Sequence, residues 1–122
     1  MPDAADFGVE IVRAPIALAR VRALAEDLFG DLVKAVVDLD RGIMAIGGEL
    51  HADEEAVLLD DGSAQSNLWG INLYPADFGS AGWLEFDSMI NVRPRLGNRS
   101  RDVEDPALRQ RIIEVVDALV RR

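Results

Sequence analysis

The chain has 122 residues, a formal net charge of -9 at pH 7 and no cysteine. A chain of this length can build its own hydrophobic core, so we expect one domain spanning residues 1–122. The lack of cysteine excludes disulfides, thiol chemistry and cysteine-ligated zinc, and the acidity argues against a general nucleic-acid-binding protein, which carries a basic surface.

The composition also bears on the cellular location. No apolar run approaches the roughly 18 residues of a membrane-spanning helix, so we expect no membrane association. The N-terminal sequence MPDAADFG lacks the basic and apolar regions of a secretory signal. We therefore expect a cytoplasmic protein in which residues 1–7 are frayed.

The first elements predicted along the chain are a short strand and a helix. Val9, Ile11 and Val12 indicate the strand. Pro15 suits the first turn of a helix and Gly30 a helix end. The apolar residues between them recur at helical spacing: Leu18, Val21, Leu24, Ala25 and Leu28.

A β-hairpin is predicted next, from two apolar runs that flank a turn. Residues Leu32–Leu39 form the first run and residues Gly42–Gly48 the second, with Asp40 and Arg41 at the turn between them. The nearly continuous apolarity of both runs indicates strands in the centre of a sheet.

The segment after this hairpin has two interpretations. Glu49, His51 and Asp53 alternate with apolar residues, which is typical of a strand. Asp53 can equally cap a helix that runs through Leu59, with acidic residues in its first turn. The choice stays open at this stage, and it matters because only an extended segment places all three polar side chains on one face.

A second hairpin is predicted from Leu68–Tyr74 and Trp83–Val92. Pro75 ends the first strand, and the second strand shows strict alternation over ten positions. Strands that are neighbours in sequence usually pair, so we expect an antiparallel pair. Glu85 and Asp87 share one face of the second strand, where they can form the wet side of the sheet or do acid–base work.

The second hairpin leads into a loop that is rich in arginine although the chain as a whole is acidic. The loop contains Arg93, Arg95, Arg99 and Arg101, with Asn91 before it and Asn98 within it. Arginine binds carboxylates and phosphates with a planar fork. Gly97 and Asn98 can add backbone N–H groups in a nest-like turn. The sequence thus predicts an anion site, unless these arginines pair with the acidic residues of the chain itself.

A final helix is predicted from Asp105 as N-cap and Pro106 at the first helical position. Arg121 and Arg122 would suit its C-terminal dipole. Together the elements predict an α+β fold: an antiparallel sheet of about four to five strands built from two hairpins, with the N-terminal and C-terminal helices packed mainly on one face.

One cluster suggests chemistry. His51 is the only histidine, and Glu49 and Asp53 flank it at every second position. If the segment is extended, these candidates for catalytic or metal-binding residues can hold a divalent metal with Glu85 or Asp87. The other interpretation is a surface histidine beside a helix-capping aspartate, because one histidine with nearby acids is not a diagnostic metal spacing.

Several stretches resemble a small bacterial family of uncharacterised proteins, a domain of unknown function. They are GGELHADEEAVLL, LWGINLYP, EFDSMINVRPRLGNRSR and VEDPALRQRI, and the resemblance extends from about Ile11 to Val120. It implies one compact cytoplasmic domain and no particular reaction. It also draws attention to the polar residues of the most specific stretches.

Two functions are compatible with these patterns. The first is a non-enzymatic binding domain without a cofactor, able to form a homodimer, that binds an anionic small molecule or an acidic protein segment. Its ligand-binding candidates are Asn91, Arg93, Arg95, Asn98, Arg99 and Arg101. The alternative is a metal-assisted hydrolase or nuclease-like enzyme for a phosphate-containing substrate, in which the arginines hold the phosphate. We expect the first.

Overall fold

The structure is a computed structural model that describes residues 8–122; residues 1–7, for which fraying is predicted, lie outside the described residues. Three α-helices form in the described range: α1 (Leu18–Asp27), α2 (His51–Asp60) and α3 (Pro106–Leu119). The strands are β1 (Glu10–Val12), β2 (Ile16–Ala17), β3 (Val33–Asp38), β4 (Ile43–Ile46), β5 (Leu68–Leu73), β6 (Leu84–Glu85) and β7 (Val120–Arg121).

Five of the strands form one antiparallel sheet in the order β1-β4-β3-β5-β6. The β3–β4 hairpin is tightened by Asp38, whose Oδ1 accepts hydrogen bonds from the backbone N–H groups of Asp40 and Arg41. Strand β3 also pairs along its whole length with β5, which joins the two hairpins. The predicted α+β fold with a sheet of two hairpins is therefore confirmed.

Helices cover both faces of this sheet. Helices α1 and α3 pack on one face, where Val21, Ile112 and Val116 meet the inward side chains of β3, β4 and β5. Helix α2 covers the other face, where Leu58 packs against Val36. The N-terminal and C-terminal helices thus share a face as predicted. Strands buried on both faces also explain the continuous apolar runs in the sequence.

The last helix begins as predicted. The Asp105 side chain accepts a hydrogen bond of 2.8 Å from the Ala107 N–H, and Pro106 occupies the first turn. The chain ends differently from the prediction, because Arg121 lies in β7, which pairs in parallel with β2. This pairing keeps residues Ile16–Ala17 extended, so α1 begins at Leu18 rather than at Pro15. No helix within residues 8–122 is long and apolar enough to cross a lipid bilayer.

The predicted strand Trp83–Val92 is wrong beyond its first residues. Only Leu84 and Glu85 pair with β5, and the chain then turns through a short 3₁₀ helix, Met89–Asn91. The reason lies in the alternating apolar residues, which serve two different cores. Phe86 packs with Leu84 against the α1/α3 side, whereas Ile90 packs against the α2 side. The segment crosses the edge of the sheet, and its alternation only imitates a strand.

The open choice for residues 49–59 is settled as a helix. Helix α2 begins at His51, two residues before the predicted cap Asp53, and its N-cap residue is Leu50. The helix presents Glu54 to the protein interior. Glu54 is fully buried, and its Oε2 accepts a hydrogen bond of 3.0 Å from the Gly48 N–H. Its Oε1 has no hydrogen-bond partner among the described residues.

Burial raises the pKa of Glu54 well above its ordinary value. A folded-state pKa above the unfolded one gives stability that is complete at low pH and is lost as the pH rises through the folded-state pKa. Glu54→Gln stays neutral and keeps an acceptor for Gly48. We expect this variant to gain stability over the wild type with rising pH, by at most about 1.4 kcal/mol per pH unit.

Urea unfolding of both proteins at a series of pH values measures this gain. Glu26→Gln is the control, since Glu26 is exposed on α1, and its stability curve should run parallel to that of the wild type. A constant difference between the Glu54→Gln variant and the wild type from acid to alkaline pH would contradict a neutral buried Glu54.

Candidate functional site

A cavity of about 190 Å³ lies between the first turn of α2 and the 3₁₀ helix Met89–Asn91. Three of its lining residues carry basic side chains: Lys34, His51 and Arg101. We call this cavity the basic cleft. Its basic residues come from β3, from α2 and from the arginine-rich loop, so it is formed only when the chain folds. Sequence spacing could not bring them together.

Lys34 is the only lysine of the chain. It lies on the face of β3 that α2 covers, opposite Asn72 of β5. Its Nζ is 5.0 Å from the centre of the Phe29 ring, and no carboxylate within residues 8–122 forms an ion pair with it. In an acidic protein, a cation beside a cavity and without such a partner is available to an anionic ligand.

His51 lies with its ring against the sheet. Its Nε2 is 2.8 Å from the carbonyl oxygen of Ile71. Because a carbonyl oxygen only accepts, Nε2 carries the hydrogen, and Nδ1 of the neutral ring is then an acceptor. Burial lowers the pKa of His51 below its ordinary value of 6.5. The ring is therefore neutral near pH 7 and offers a hydrogen-bond acceptor rather than a charge.

Arg101 lines the basic cleft from the arginine-rich loop. Its Nε donates a hydrogen bond of 2.7 Å to Oδ1 of Asp87. Both side chains are about half exposed, and an ion pair of that kind contributes little, about 0–1 kcal/mol. The two terminal nitrogens of Arg101 make no hydrogen bond with the described residues. A ligand can therefore use them without breaking a costly internal contact.

A second cavity, of about 390 Å³, lies beside the start of the arginine-rich loop. We call it the arginine pocket, after Arg93 and Arg95 in its lining. Arg93 pairs with Glu55 of α2 at 3.2 Å and lies 4.9 Å from the ring centre of Trp69. Its Nη1 is buried without a hydrogen-bond partner among the described residues. Arg95 is exposed and forms no ion pair with them.

The predicted backbone nest exists two residues further along than Gly97 and Asn98, and it is occupied. The N–H groups of Arg99 and Ser100 donate to one carboxylate oxygen of Glu104, at 3.0 and 2.8 Å. The Ser100 hydroxyl donates to the same oxygen and, together with these N–H groups, lowers the pKa of Glu104. The chain thus fills its own nest. The Arg99 side chain is in none of the ion pairs formed within residues 8–122.

Asn91 and Asn98 have internal roles rather than the predicted ligand contacts. The Asn98 amide donates to the carbonyl oxygens of Asn91, Ser100 and Asp102 and accepts from the Glu104 N–H. The Asn91 amide joins the loop to β5. These bonds use the amide groups fully, and both side chains are buried. The two asparagines therefore shape the arginine-rich loop from within.

The helix also changes the predicted cluster of Glu49, His51 and Asp53. Successive helical residues point in different directions, so the shared face of an extended segment is lost. Glu85 is bound by the Asn72 amide at 2.8 Å, and Asp87 pairs with Arg101. No group of three or more histidine, aspartate or glutamate side chains within residues 8–122 is placed to hold a metal ion. The residues of the predicted metal site are not brought together.

Sequence reasoning missed Lys34 and Ser88 as cleft residues. Lys34 is the only lysine and lies in an otherwise apolar predicted strand. Lysine is rarely buried without a partner, so this position could have indicated a functional residue. Ser88 gave no signal, because the sequence placed it in a strand that does not form. Its hydroxyl accepts a hydrogen bond of 3.2 Å from the Ile90 N–H, and the residue is 1% exposed.

A family model described as "Protein of unknown function" (DUF5674) matches residues 10–119. The match covers nearly the whole chain and confirms the resemblance to a domain of unknown function. No curated protein and no solved structure matches the chain. The comparisons therefore identify a family without an activity, and the residues of the basic cleft and the arginine pocket carry any functional argument.

Proposed function

The chain belongs to the DUF5674 family of proteins of unknown function, and from that premise we propose that it is a non-enzymatic binding domain for an anionic group, a phosphate or a carboxylate, held in the basic cleft. One observation supports this most: Lys34, His51 and Arg101 surround a single cavity in a chain whose net charge is -9. Two of the three residues, Lys34 and Arg101, are cations, and cations on an acidic protein attract an anion to that cavity.

Each basic residue would contribute a different interaction. Lys34 supplies a point charge and three donors, and Arg101 supplies a planar pair of donors that matches two oxygens. The neutral His51 ring accepts a hydrogen bond from a ligand hydroxyl through Nδ1. The cavity of about 190 Å³ is smaller than the roughly 300–1,000 Å³ of a drug-sized pocket. It suits one charged group of a ligand rather than a whole large molecule.

Binding is favoured over reaction by the state of the two groups that could otherwise react. The hydrogen on Nε2 of His51 is held by the Ile71 carbonyl. The Ser88 hydroxyl is buried in the turn that it stabilises. No hydrogen bond joins the His51 ring to the Ser88 hydroxyl within residues 8–122, as a nucleophile and its base would need. Glu49 and Asp53 do not share a face with His51, so they give no support to the metal-assisted alternative.

Titration with inorganic phosphate tests the proposal by calorimetry at constant ionic strength. We expect Arg101→Ala and Lys34→Met each to weaken phosphate binding about tenfold, because each removes a charge-assisted hydrogen bond. Arg111→Ala is the matched control, since Arg111 is an exposed arginine on α3 without an ion pair to the described residues. Its affinity for phosphate should equal that of the wild type.

Thermal unfolding gives an independent measurement. A ligand at 100 times its dissociation constant stabilises the folded state by about 2.7 kcal/mol, so phosphate should raise the unfolding temperature and chloride at equal ionic strength should not. Equal shifts with both anions, or a phosphate shift that survives both cleft substitutions, would overturn the proposal.

A further inference from the structure

We propose that the basic cleft and the arginine pocket are the two ends of one docking surface for an acidic peptide segment of a partner protein, with apolar side chains between its acidic residues. This inference rests on the proposed function, because the basic cleft is one of its two anion sites. It adds the second site, the apolar contact between them and the class of ligand.

The two cavities are connected by a short stretch of chain. Met89 lines the basic cleft and Leu96 lines the arginine pocket. Seven residue steps separate them, so the two residues are at most about 25 Å apart. Helix α2 runs beside this stretch and is tied to it by the Arg93–Glu55 ion pair. An extended peptide of about seven or eight residues can reach from one cavity to the other.

The chain that connects the two cavities exposes apolar side chains. Met89 is 66% exposed and Leu96 is 52% exposed. With Leu50 and Val92 they make up four of the seven exposed large apolar residues in the part of the chain that the structure describes. Apolar residues that gather on one surface and are rimmed by charge are typical of a protein-binding site. Both ends of the surface are basic, so the complementary segment is acidic at its ends and apolar at its centre.

The arginine pocket has unused donors for such a segment. The buried Nη1 of Arg93 has no hydrogen-bond partner among the described residues, and Arg95 forms no ion pair with them. A buried polar group without a partner is unfavourable, and a carboxylate oxygen from a ligand would satisfy it. Arg93 itself is fixed by Glu55 and by stacking on Trp69. The donor is therefore already in place before a ligand arrives.

A peptide fits this surface better than a nucleic acid does. Proteins that bind single strands stack the bases on aromatic side chains along a basic groove. No phenylalanine, tyrosine or tryptophan lines the basic cleft or the arginine pocket, and the His51 ring is bound to the sheet through the Ile71 carbonyl. Trp69 is buried beneath Arg93, so no base can stack on it.

Fluorescence anisotropy with a labelled octapeptide tests the inference. The peptide carries a glutamate pair at each end and a leucine pair at its centre, and a second peptide replaces the leucines by serine. A labelled oligothymidine serves as the nucleic-acid probe. We expect the leucine peptide to bind, the serine peptide to bind about tenfold more weakly, and the oligothymidine to bind more weakly than either peptide.

Variants separate this inference from the proposed function. Arg95→Ala and Leu96→Ser change residues that line the arginine pocket and not the basic cleft. Each should weaken binding of the leucine peptide about tenfold and leave phosphate binding in the basic cleft unchanged. Arg111→Ala should change neither, and circular dichroism checks that each variant is folded. If Arg101→Ala weakens binding of the peptide but Arg95→Ala and Leu96→Ser do not, the inference fails and the proposed function stands. If the arginine-pocket variants leave peptide binding unchanged and Arg101→Ala weakens neither the peptide nor phosphate, both fail. Preferential binding of oligothymidine overturns the peptide as the ligand.

Discussion

Asn91→Ala should lower the free energy of unfolding by about 3–5 kcal/mol. Asn91 is fully buried. Its Oδ1 accepts from the Gly70 N–H at 2.8 Å, and its Nδ2 donates to the carbonyl oxygens of Gly70 and Arg101, at 2.9 and 3.0 Å. Alanine leaves the Gly70 N–H and C=O without partners, whereas the Arg101 carbonyl keeps its hydrogen bond of 3.0 Å from the Ser88 N–H. Each buried group without a partner costs about 1–3 kcal/mol.

Urea unfolding monitored by tryptophan fluorescence measures this loss. Asn67→Ala is the matched control, because Asn67 is only partly buried and its side chain makes no hydrogen bond within residues 8–122. It should change the stability by less than about 0.5 kcal/mol. A loss below about 1 kcal/mol for Asn91→Ala would show that water replaces the amide, and that the loop does not depend on it.

The loss would extend to the proposed binding site. The amide of Asn91 binds β5 where a partner strand would otherwise lie, and it holds the backbone of Arg101 at the basic cleft. Asn91 is thus a positioning residue. In a variant such as Asn91→Asp, which keeps an acceptor for Gly70 but loses the donor, phosphate binding should weaken even where the protein remains folded.

Local signals predicted much of this fold. The turn residues Asp40 and Arg41, the Asp105 cap and the helical spacing from Leu18 each act over a few residues, and each was interpreted correctly. The strand beyond Glu85 was not, because its alternation satisfied the period of a strand while its side chains went to opposite faces. The periodicity of apolar residues predicts that a residue is buried, but it does not predict on which face of the sheet the residue is buried.

The candidate site was less predictable for a related reason. The arginine-rich loop was visible, but the partner of each arginine is set by the tertiary structure. Arg93 forms an ion pair with Glu55 of α2 and lines the arginine pocket, whereas Arg101 forms an ion pair with Asp87 and lines the basic cleft. The predicted single anion site therefore becomes two cavities. Lys34 joins one of them only because β3 is central in the sheet and α2 begins beside it.

Gly70→Ala should destabilise the protein by about 3 kcal/mol, at the upper end of the cost of overpacking a core. A Cβ at Gly70 would lie 2.5 Å from Cβ of Ser88, 2.6 Å from its Oγ and 3.1 Å from Cγ1 of Ile90. Strand β5 is fixed by pairing with β3, so the segment at Ser88 has to move instead. That segment lines the basic cleft, and phosphate binding should weaken together with the stability.

Gly82→Ala separates this clash from the general effect of removing a glycine. A Cβ at Gly82 would meet its nearest neighbour, Asp77, at 3.6 Å, which is ordinary contact. Gly82→Ala lowers the conformational entropy of the unfolded chain as much as Gly70→Ala does. We therefore expect the stability of this variant to be unchanged or higher by about 0.4–1 kcal/mol. Ser88→Gly should restore part of the stability lost in Gly70→Ala, as a positive coupling in a double-mutant cycle. If the stability changes of Gly70→Ala and Ser88→Gly are strictly additive, the two residues are not in energetic contact. The close packing of Ser88 on Gly70 would then not be what places Ser88 at the basic cleft.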